Sequence, residues 1–100
     1  MITAVRTFTI QKVGAIWEAI PALKEMDSYA RENFGGVTHI ERSISGSERN
    51  VHWIGEHESL AAYESRLKKI VADEKFIKMY DEFVKAYVEE VNVLLLDRVS

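Results

Sequence analysis

Residues 91–96, with the sequence VNVLLL, carry apolar side chains on both faces of any β-strand that they form. The odd-numbered side chains point to one face, whereas Leu94 and Leu96 point to the other, and such a strand requires burial on two sides. A chain of 100 residues has enough helix to cover only one side of a sheet. We therefore expect the second side to meet another copy of the chain in a homodimer.

Composition restricts the class of protein. A hydrophobic content of 47% over 100 residues predicts one compact domain spanning residues 1–100. The net charge of −3 is spread without long blocks of one sign, so no nucleic-acid partner is expected. Cysteine is absent, which excludes disulfides and thiolate chemistry. With no signal-peptide pattern and no apolar run of roughly 18 residues, we expect a soluble cytoplasmic protein without a membrane partner.

Hydrophobic spacing predicts the first two elements. Residues 2–10 are rich in Thr, Val, Ile and Phe and lack Gly and Pro, which predicts a strand. From Ala15 to Phe34, apolar residues recur every three or four positions, which predicts a helix that ends at the glycine pair 35–36. Because Pro21 lies inside this segment, we expect a kink there or a helix that restarts with Pro21 in its first turn.

The rest of the chain predicts a hairpin, two helices and a last strand. Residues 37–45 and 49–57 are strand-like and are joined by a short turn at Gly46, so they are expected to pair antiparallel. Ser59 and Asp73 are expected to cap the two helices that follow. The apolar stripes of these helices are Leu60, Tyr63, Leu67 and Ile70, then Phe76, Tyr80, Phe83 and Tyr87.

The order of strand, helix, strand, strand, helix, helix and strand is the split βαβ pattern of a ferredoxin-like α+β fold, with its second helix divided in two. Its antiparallel sheet would carry the helices on one face and leave the other bare. Large exposed apolar patches are uncommon on monomers, so the bare face again favours a dimer. The last strand is then expected to have one side on the helices and the other at the partner's sheet.

Several short segments resemble the NIPSNAP branch of the dimeric α+β barrel proteins. Residues 6–10 (RTFTI) resemble the opening strand of that group. Residues 50–53 (NVHW) lead into residues 58–63 (ESLAAY), which resemble its helix start, and residues 72–76 (ADEKF) resemble its step between helices. The chain departs from the group's pattern in the turn after the first strand, which reads QKVG, and at Gly55, where an aromatic residue is usual.

The resemblance implies a dimeric α+β barrel, a scaffold that carries unrelated activities. Those of the wider class include cofactor-free oxygenation of polyphenols, haem handling and lactone isomerisation. A shared fold therefore does not select an activity for this chain.

The hairpin separates the polar candidates onto opposite faces of the sheet. With a two-residue turn, Glu41 lies opposite His52 and His39 lies opposite Ile54. One face then gathers His39, Glu41, Ser43, Asn50, His52 and Glu56, and the other gathers Ile40, Arg42, Ile44, Val51, Trp53, Gly55 and His57. By polarity, the second face packs under the helices and the first looks into the dimer.

The resemblance implies the opposite facing. In the barrel class the residue two before the helix-start Ser points into the barrel, which is His57 here, and Trp53 and Gly55 would accompany it. A β-bulge at Gly55 would satisfy both assignments in part. The sequence leaves the two alternatives open.

Histidines and carboxylates are the first candidates for chemistry. His39, Glu41 and His52 are residue types that bind zinc, iron or manganese, although solvated or hydrogen-bonded neighbours of this kind are more common, so no metal is assigned. His57 is a candidate general base because a free imidazole titrates near pH ~6.5. A structural role at the start of the second helix is the alternative.

Aromatic and basic residues are the second set of candidates. Trp53 with Arg6 or Arg42 would stack on a flat aromatic ligand, and a place in the core is the alternative for Trp53. Trp17 and the aromatic stripe of the third helix are expected in the core or at an interface. The basic cluster of Arg66, Lys68 and Lys69 is interpreted as a solvated helix face.

These residues support competing functions. The leading hypothesis is a homodimer that binds a small aromatic or hydrophobic molecule between the sheet and the helices, without an assigned cofactor. One alternative is a cofactor-independent monooxygenase or isomerase acting on a phenolic or quinone-like compound. In it, His57 or His52 would be the base, and Arg6 or Arg42 would hold an oxyanion. Another alternative is a haem-binding or haem-degrading protein. A dimer that has only an assembly role is a further alternative. The sequence contains no glycine-rich phosphate loop and no nucleophile elbow.

Overall fold

The computed structural model describes residues 1–99, which form a four-stranded antiparallel sheet with three α-helices on one face. In chain order the elements are β1 (Ile2–Ile10), a 3₁₀ turn (Val13–Ala15), α1 (Ile16–Phe34), β2 (Val37–Arg42), β3 (Asn50–His57), α2 (Leu60–Val71), α3 (Glu74–Tyr87) and β4 (Val88–Asp97). The strands lie in the order β2-β3-β1-β4, so the predicted ferredoxin-like α+β fold is confirmed. None of the helices within residues 1–99 has the length and apolar character of a membrane-spanning segment.

The helix ends coincide with the capping residues that the sequence indicated. The Ser59 side chain accepts a hydrogen bond from the Ala62 N–H at 3.1 Å, and the Asp73 carboxylate accepts one from the Phe76 N–H at 2.8 Å. α1 ends at Gly35, where φ is 70°, a conformation that glycine adopts at little cost. The predicted caps and the predicted end of α1 are therefore confirmed.

Pro21 does not interrupt α1, so the predicted restart of the helix is wrong. Pro21 is exposed, whereas the stripe on the opposite side of the helix packs on the sheet. The buried apolar residues of this stripe are Ile16, Ala19, Leu23, Met26 and Ala30. Their burial offsets the one backbone hydrogen bond that proline cannot donate.

The β2–β3 hairpin opens into a longer loop than the sequence predicted. β2 ends at Arg42 and β3 begins at Asn50, so residues 43–49 replace the two-residue turn. The Asn50 N–H donates to the Ser47 carbonyl at 3.2 Å, which closes a separate turn ahead of the strand. Ile44, expected under the helices, consequently lies in the loop with 76% of its surface exposed.

Strand register decides which face of the hairpin meets the helices. Glu41 pairs with His52, as the sequence predicted. Val51 is 1% exposed, and Trp53 on the same face packs against the core. The packing of this face under the helices, as assigned by polarity, is therefore confirmed, because the apolar helix stripes bury the side that carries Val51 and Trp53. The facing of either side towards the barrel of a dimer stays a prediction.

Gly55 lies in an uninterrupted strand. It pairs with Thr38 on one side and with Ala4 on the other, and the register is continuous through both pairs, so the predicted bulge at Gly55 is wrong. The shift of register lies instead between Thr9 and Ile10, where β1 passes β4.

The core lies between the helices and one face of the two central strands. Phe8 and Ile10 of β1 are fully buried, and Phe76 and Phe83 of α3 are 3% and 4% exposed. The aromatic stripe of α3 thus packs as predicted. Trp17 is 66% exposed, so a place in the core is wrong for it, and its role at an interface stays a prediction.

β4 is an edge strand, and the helices cover only its beginning. Val91 packs against the core, but Val93 and Leu95 on the same face are 46% and 41% exposed, and Leu94 and Leu96 on the bare face are 56% and 47% exposed. The predicted strand is confirmed, although its helix-facing side is covered only in part. The reason is that the helix stripes converge on β1 and β3, which leaves the far half of the edge strand outside their contact.

Candidate functional site

A cavity of about 270 Å³ lies between the sheet and the helices α2 and α3. Its roof is apolar and consists mainly of Leu67, Ile70, Val71 and Ile77, and its floor includes Ala4, Trp53 and Gly55. An engineered apolar cavity of roughly 150 Å³ accepts one benzene ring, so this space suits a compound of one or two rings.

Gly55 keeps the floor of the cavity open. A Cβ atom at this position would lie 3.2 Å from His57 Nε2 and 3.5 Å from Thr38 Cγ2. Any larger side chain would occupy the space above the strand. The departure of this chain from the aromatic residue of the NIPSNAP pattern thus coincides with open volume.

Arg6 forms one polar part of the cavity. It extends from the middle of β1, where Trp53 and Val93 are its partners on the neighbouring strands. Its Nη1 atom donates to the Tyr80 hydroxyl at 3.0 Å, and its guanidinium carbon lies 5.6 Å from the centroid of the Tyr80 ring. Within residues 1–99, Arg6 forms no ion pair with a carboxylate.

Arg66 forms another polar part and is only partly exposed, which corrects the expectation of a fully solvated position for this residue. Its Nη2 and Nε atoms donate to the Gly35 carbonyl at 2.9 and 3.2 Å, and its guanidinium lies against Gly36, where a Cβ would be 3.0 Å from Nε. Burial lowers the pKa of Arg66, and the charge of Asp27 opposes that shift. Lys68, from the same cluster, is exposed.

His57 lies between these features at the end of β3. Its ring meets the Tyr63 ring edge-on, with centroids 5.1 Å apart. Burial first, and then the charge of Arg66, lower the pKa of His57 below its ordinary value near 6.5, so the imidazole is neutral at pH ~7. The cap of α2 is Ser59, so His57 is available to contact a ligand.

Asp27 of α1 contacts the lining residues Trp53 and Thr38 from the side away from the cavity. The sequence did not indicate this role. Asp27 is 5% exposed, and its Oδ1 atom accepts hydrogen bonds from the Trp53 indole N–H at 2.8 Å and from the Thr38 hydroxyl. Its Oδ2 atom pairs with Arg31 Nε at 3.1 Å. Asp27 follows Leu23 by four positions, a helical spacing that places a carboxylate on the buried stripe.

The polar residues of the other hairpin face lie outside the cavity. His39 Nε2 and Glu41 Oε2 are 2.9 Å apart and pair with each other. The ring nitrogens of His52 lie 2.8 Å from the Thr7 hydroxyl and 2.9 Å from the Ser43 hydroxyl. In the part of the chain that the structure describes, no group of three His, Cys, Asp or Glu side chains is placed to hold a metal ion.

The structure therefore divides the candidates from the sequence. It brings Arg6, Trp53 and His57 together at the cavity, whereas Arg42 lies 5.1 Å over the ring of Trp17 and does not line it. Arg66 is a lining residue that the sequence analysis missed. Arg66 follows Tyr63 by three positions, a helical spacing that would have placed it on the same side of α2 as the apolar stripe. Tyr63 and Tyr80 also line the cavity, although the sequence assigned them only to apolar stripes.

Comparisons with known proteins identify the fold. No protein-family model and no curated protein matches the sequence. An uncharacterised NIPSNAP domain protein from Burkholderia xenovorans has a similar structure, with a TM-score of 0.86 at 15% identity, over 100% of this chain and 96% of that chain. A NIPSNAP family protein from Agrobacterium tumefaciens gives a TM-score of 0.82 at 16% identity, over 98% of this chain and 85% of that chain.

An antibiotic biosynthesis monooxygenase is also similar in structure. Its TM-score is 0.73 at 19% identity, and the match covers 100% of each chain. Identities this low establish the fold and leave the activity open. This chain has the ferredoxin-like α+β fold shared by the NIPSNAP and antibiotic biosynthesis monooxygenase structures, and the resemblance seen in the sequence is confirmed at that level.

Proposed function

We propose that this chain is a homodimeric cytoplasmic protein that binds a small aromatic or hydrophobic molecule between the sheet and the helices α2 and α3. The observation that carries the proposal is the cavity of about 270 Å³, whose apolar roof and aromatic floor enclose a few polar side chains. Such a combination of apolar area and sparse polar groups is typical of small-molecule sites.

The aromatic side chains around the cavity are held in place by their neighbours. The Trp53 ring lies 6.0 Å from the Phe76 ring with an interplanar angle of 30°, and the Phe76 ring stacks on Tyr80 at 6.2 Å. The hydrogen bond to Asp27 fixes the edge of the Trp53 indole. Aromatic surfaces that are already ordered contribute contact area to a flat ligand with little further loss of entropy.

The binding test uses two naphthalene compounds, 2-naphthoate and 2-naphthalenemethanol, and isothermal titration calorimetry. Ala4 lines the floor, so Ala4→Phe fills part of the cavity, whereas Ala61→Phe adds the same ring on the exposed side of α2. We expect at least one compound to bind the wild type and Ala61→Phe, and to bind Ala4→Phe at least about tenfold more weakly. If neither compound binds the wild type, or if Ala4→Phe binds equally well, the proposal is wrong.

The bare face of the sheet supports the dimer. Ile54, Val5 and Leu94 are neighbours in register across β3, β1 and β4 and form an apolar row on this face. On the edge strand β4, Leu96 lies on the same face as Leu94, and the side chains of both are about half exposed. Packing two such faces against each other would remove this row from water, as sheet-on-sheet interfaces do.

His57 favours a second candidate function, a cofactor-independent monooxygenase or isomerase acting on a phenolic compound. A neutral imidazole next to Arg66 can accept a phenol proton while the guanidinium stabilises the phenolate. Naphthalene-1,4-diol is a suitable probe, with oxygen uptake measured against its uncatalysed oxidation. Monooxygenase activity predicts uptake above that background and a loss of roughly a hundredfold in His57→Gln. Uptake at the background rate rejects the monooxygenase, and an unchanged absorption spectrum of the probe under nitrogen rejects its isomerisation.

The haem alternative rests on the same histidine. His39 and His52 lie on the face opposite the cavity, whereas His57 lines it. A Soret shift on adding haem that is present in the wild type and lost in His57→Gln would be required for this function.

A further inference from the structure

The charged side chains that line the cavity have one sign. Among residues 1–99, those charges belong to Arg6 and Arg66, and no Asp or Glu side chain is part of the lining. The chain as a whole is acidic, with 16 Asp and Glu against 13 Lys and Arg. A cavity of cationic character in a chain of net charge −3 is therefore a local arrangement rather than a result of overall composition.

The buried carboxylate of Asp27 is engaged by other partners. Asp27 accepts from the Trp53 indole at 2.8 Å and from Thr38, and its second oxygen pairs with Arg31 at 3.1 Å. Its charge influences Arg66 at longer range without an ion pair to that residue in the described part of the chain. Asp27 thus does not neutralise the arginines of the cavity at close range.

The Arg6 guanidinium lines the cavity and has N–H donors beyond the one that Tyr80 accepts. Within residues 1–99, its side-chain hydrogen bond is the one from Nη1 to the Tyr80 hydroxyl, a neutral acceptor. A guanidinium has five N–H donors in a planar fork that matches a carboxylate in two-point contact. A partly buried cation without a carboxylate partner gains strongly from an anionic ligand, because charge-assisted hydrogen bonds are about twice as strong as neutral ones.

Arg66 and His57 set the character of the part of the cavity that lies next to the α1–β2 turn and the end of β3. Arg66 is anchored by its two contacts to the Gly35 carbonyl, so its charge is held in place when the ligand arrives. The neutral His57 ring beside it can donate or accept a hydrogen bond. This end therefore suits a second polar oxygen on the ligand, and it adds positive potential across a small volume.

We infer that the cavity selects an organic anion: a flat, mostly apolar compound with a carboxylate held by Arg6 and with its ring system against Trp53 and the roof of α2. This inference rests on the proposed binding function and names the class of ligand. The cationic lining, the absence of a lining carboxylate in residues 1–99 and the unused donors of Arg6 carry it.

The test compares the dissociation constants of 2-naphthoate and 2-naphthalenemethanol, which share a ring system and differ in charge. We expect 2-naphthoate to bind the wild type at least about tenfold more tightly. In Arg6→Gln the two compounds should bind within about threefold of each other, and Arg66→Gln should reduce the preference by a smaller factor. Arg42→Gln removes an arginine that lies over Trp17 outside the cavity, and it should retain the full preference.

A wild-type measurement makes the result independent of how well the variants fold. Raising the salt concentration should weaken binding of 2-naphthoate and leave that of 2-naphthalenemethanol unchanged. Equal binding of the two compounds by the wild type overturns the anion preference and leaves the binding function standing, whereas no binding of either compound overturns the binding function itself. A preference that survives both Arg6→Gln and Arg66→Gln overturns the placement of the anion.

Discussion

The Asp27 carboxylate accepts a hydrogen bond from the Trp53 indole N–H at 2.8 Å, which joins α1 to β3 behind the cavity. The same oxygen accepts from the Thr38 hydroxyl of β2. The Asp27 side chain on α1 thus fixes the orientation of the Trp53 indole and links α1 to β2. Because Asp27 is 5% exposed, water cannot replace it as an acceptor at low cost.

We expect Asp27→Ala to lower the free energy of unfolding by about 2 kcal/mol, because it leaves the partly buried donors of Trp53 and Thr38 without their acceptor. Asp27→Asn retains an acceptor oxygen for Trp53 and should lose less. Urea denaturation measures both. Asp81→Ala, on the exposed side of α3, is the control and should change the free energy by no more than about 0.5 kcal/mol. Equal losses for the Asp27→Ala and Asp81→Ala variants would contradict this account.

His57 makes the stability of the fold depend on pH. Its pKa in the folded state is below the value near 6.5 expected in the unfolded chain, so the unfolded state binds more protons in the interval between those pKa values. Stability therefore falls as the pH falls from about 7.5 to about 5.5, and His57→Gln should show a smaller fall. Unfolding free energies of both proteins at the two pH values provide the measurement; an identical fall in the variant is the adverse result.

The charge of Arg66 is the smaller cause of the shift in His57. We expect Arg66→Gln to raise the pKa of His57 while leaving it below its ordinary value, because burial is the larger cause. An NMR titration of the His57 ring protons measures this. A fully restored pKa in Arg66→Gln would show that the charge, and not burial, dominates.

Gly36 links the α1–β2 turn to the cavity. Its φ is 104°, and a Cβ there would lie 3.0 Å from Arg66 Nε, so Gly36→Ala should strain the backbone and displace the guanidinium. We expect a loss of about 1–3 kcal/mol in stability and a reduced preference for 2-naphthoate. Gly14→Ala is the matched control, since nothing lies within 4 Å of a Cβ at that glycine. Thermal unfolding and calorimetry distinguish the two variants.

The dimer proposal predicts different results for neighbouring residues of β4. Leu94 is on the bare face and Leu95 is on the helix-facing side, and they are exposed by 56% and 41%. In sedimentation equilibrium at micromolar concentration, Leu94→Lys should shift the protein to a monomer, because it buries an unpaired charge in the interface, whereas Leu95→Lys should remain dimeric. A wild type that is monomeric at that concentration would remove the proposal.

α2 is the least buried cover of the cavity. Every residue of α2 is described and none of them is buried, and Leu60 and Val71 at its ends are 49% and 58% exposed. Its backbone amides should therefore exchange with solvent faster than those of α1, and bound 2-naphthoate should slow them. Hydrogen-exchange mass spectrometry measures both effects; uniform exchange over α1 and α2 would be evidence against this difference.

Much of the fold was predictable because its signals are local. The three-to-four spacing of apolar residues in α1, the capping side chains of Ser59 and Asp73, and the glycine after Phe34 each act over a few positions. The hairpin register was also predictable, even though its loop is longer than expected. Residues on the two sides of the turn leave the ladder in opposite pairs, so Glu41 still lies opposite His52.

The candidate site was predictable only in part. Arg6, Trp53 and His57 stood out by residue type, but Arg42 stood out equally and lies over Trp17. Trp17 had the spacing of a core residue and is exposed, because the α1 stripe that meets the sheet passes to one side of it. Residue type and spacing describe a single element and do not show which neighbour covers it.

Local chemistry in the sequence thus specifies the elements, their ends and the pairing of the hairpin. Three-dimensional packing assigns Arg66 to a cavity rather than to solvent, gives Asp27 its role behind Trp53 and leaves half of β4 uncovered. The physical reason is that burial and electrostatic environment depend on contacts between residues far apart in the chain, such as Arg6 with Tyr80 and Asp27 with Trp53. Those contacts exist only after the helices have packed against the sheet.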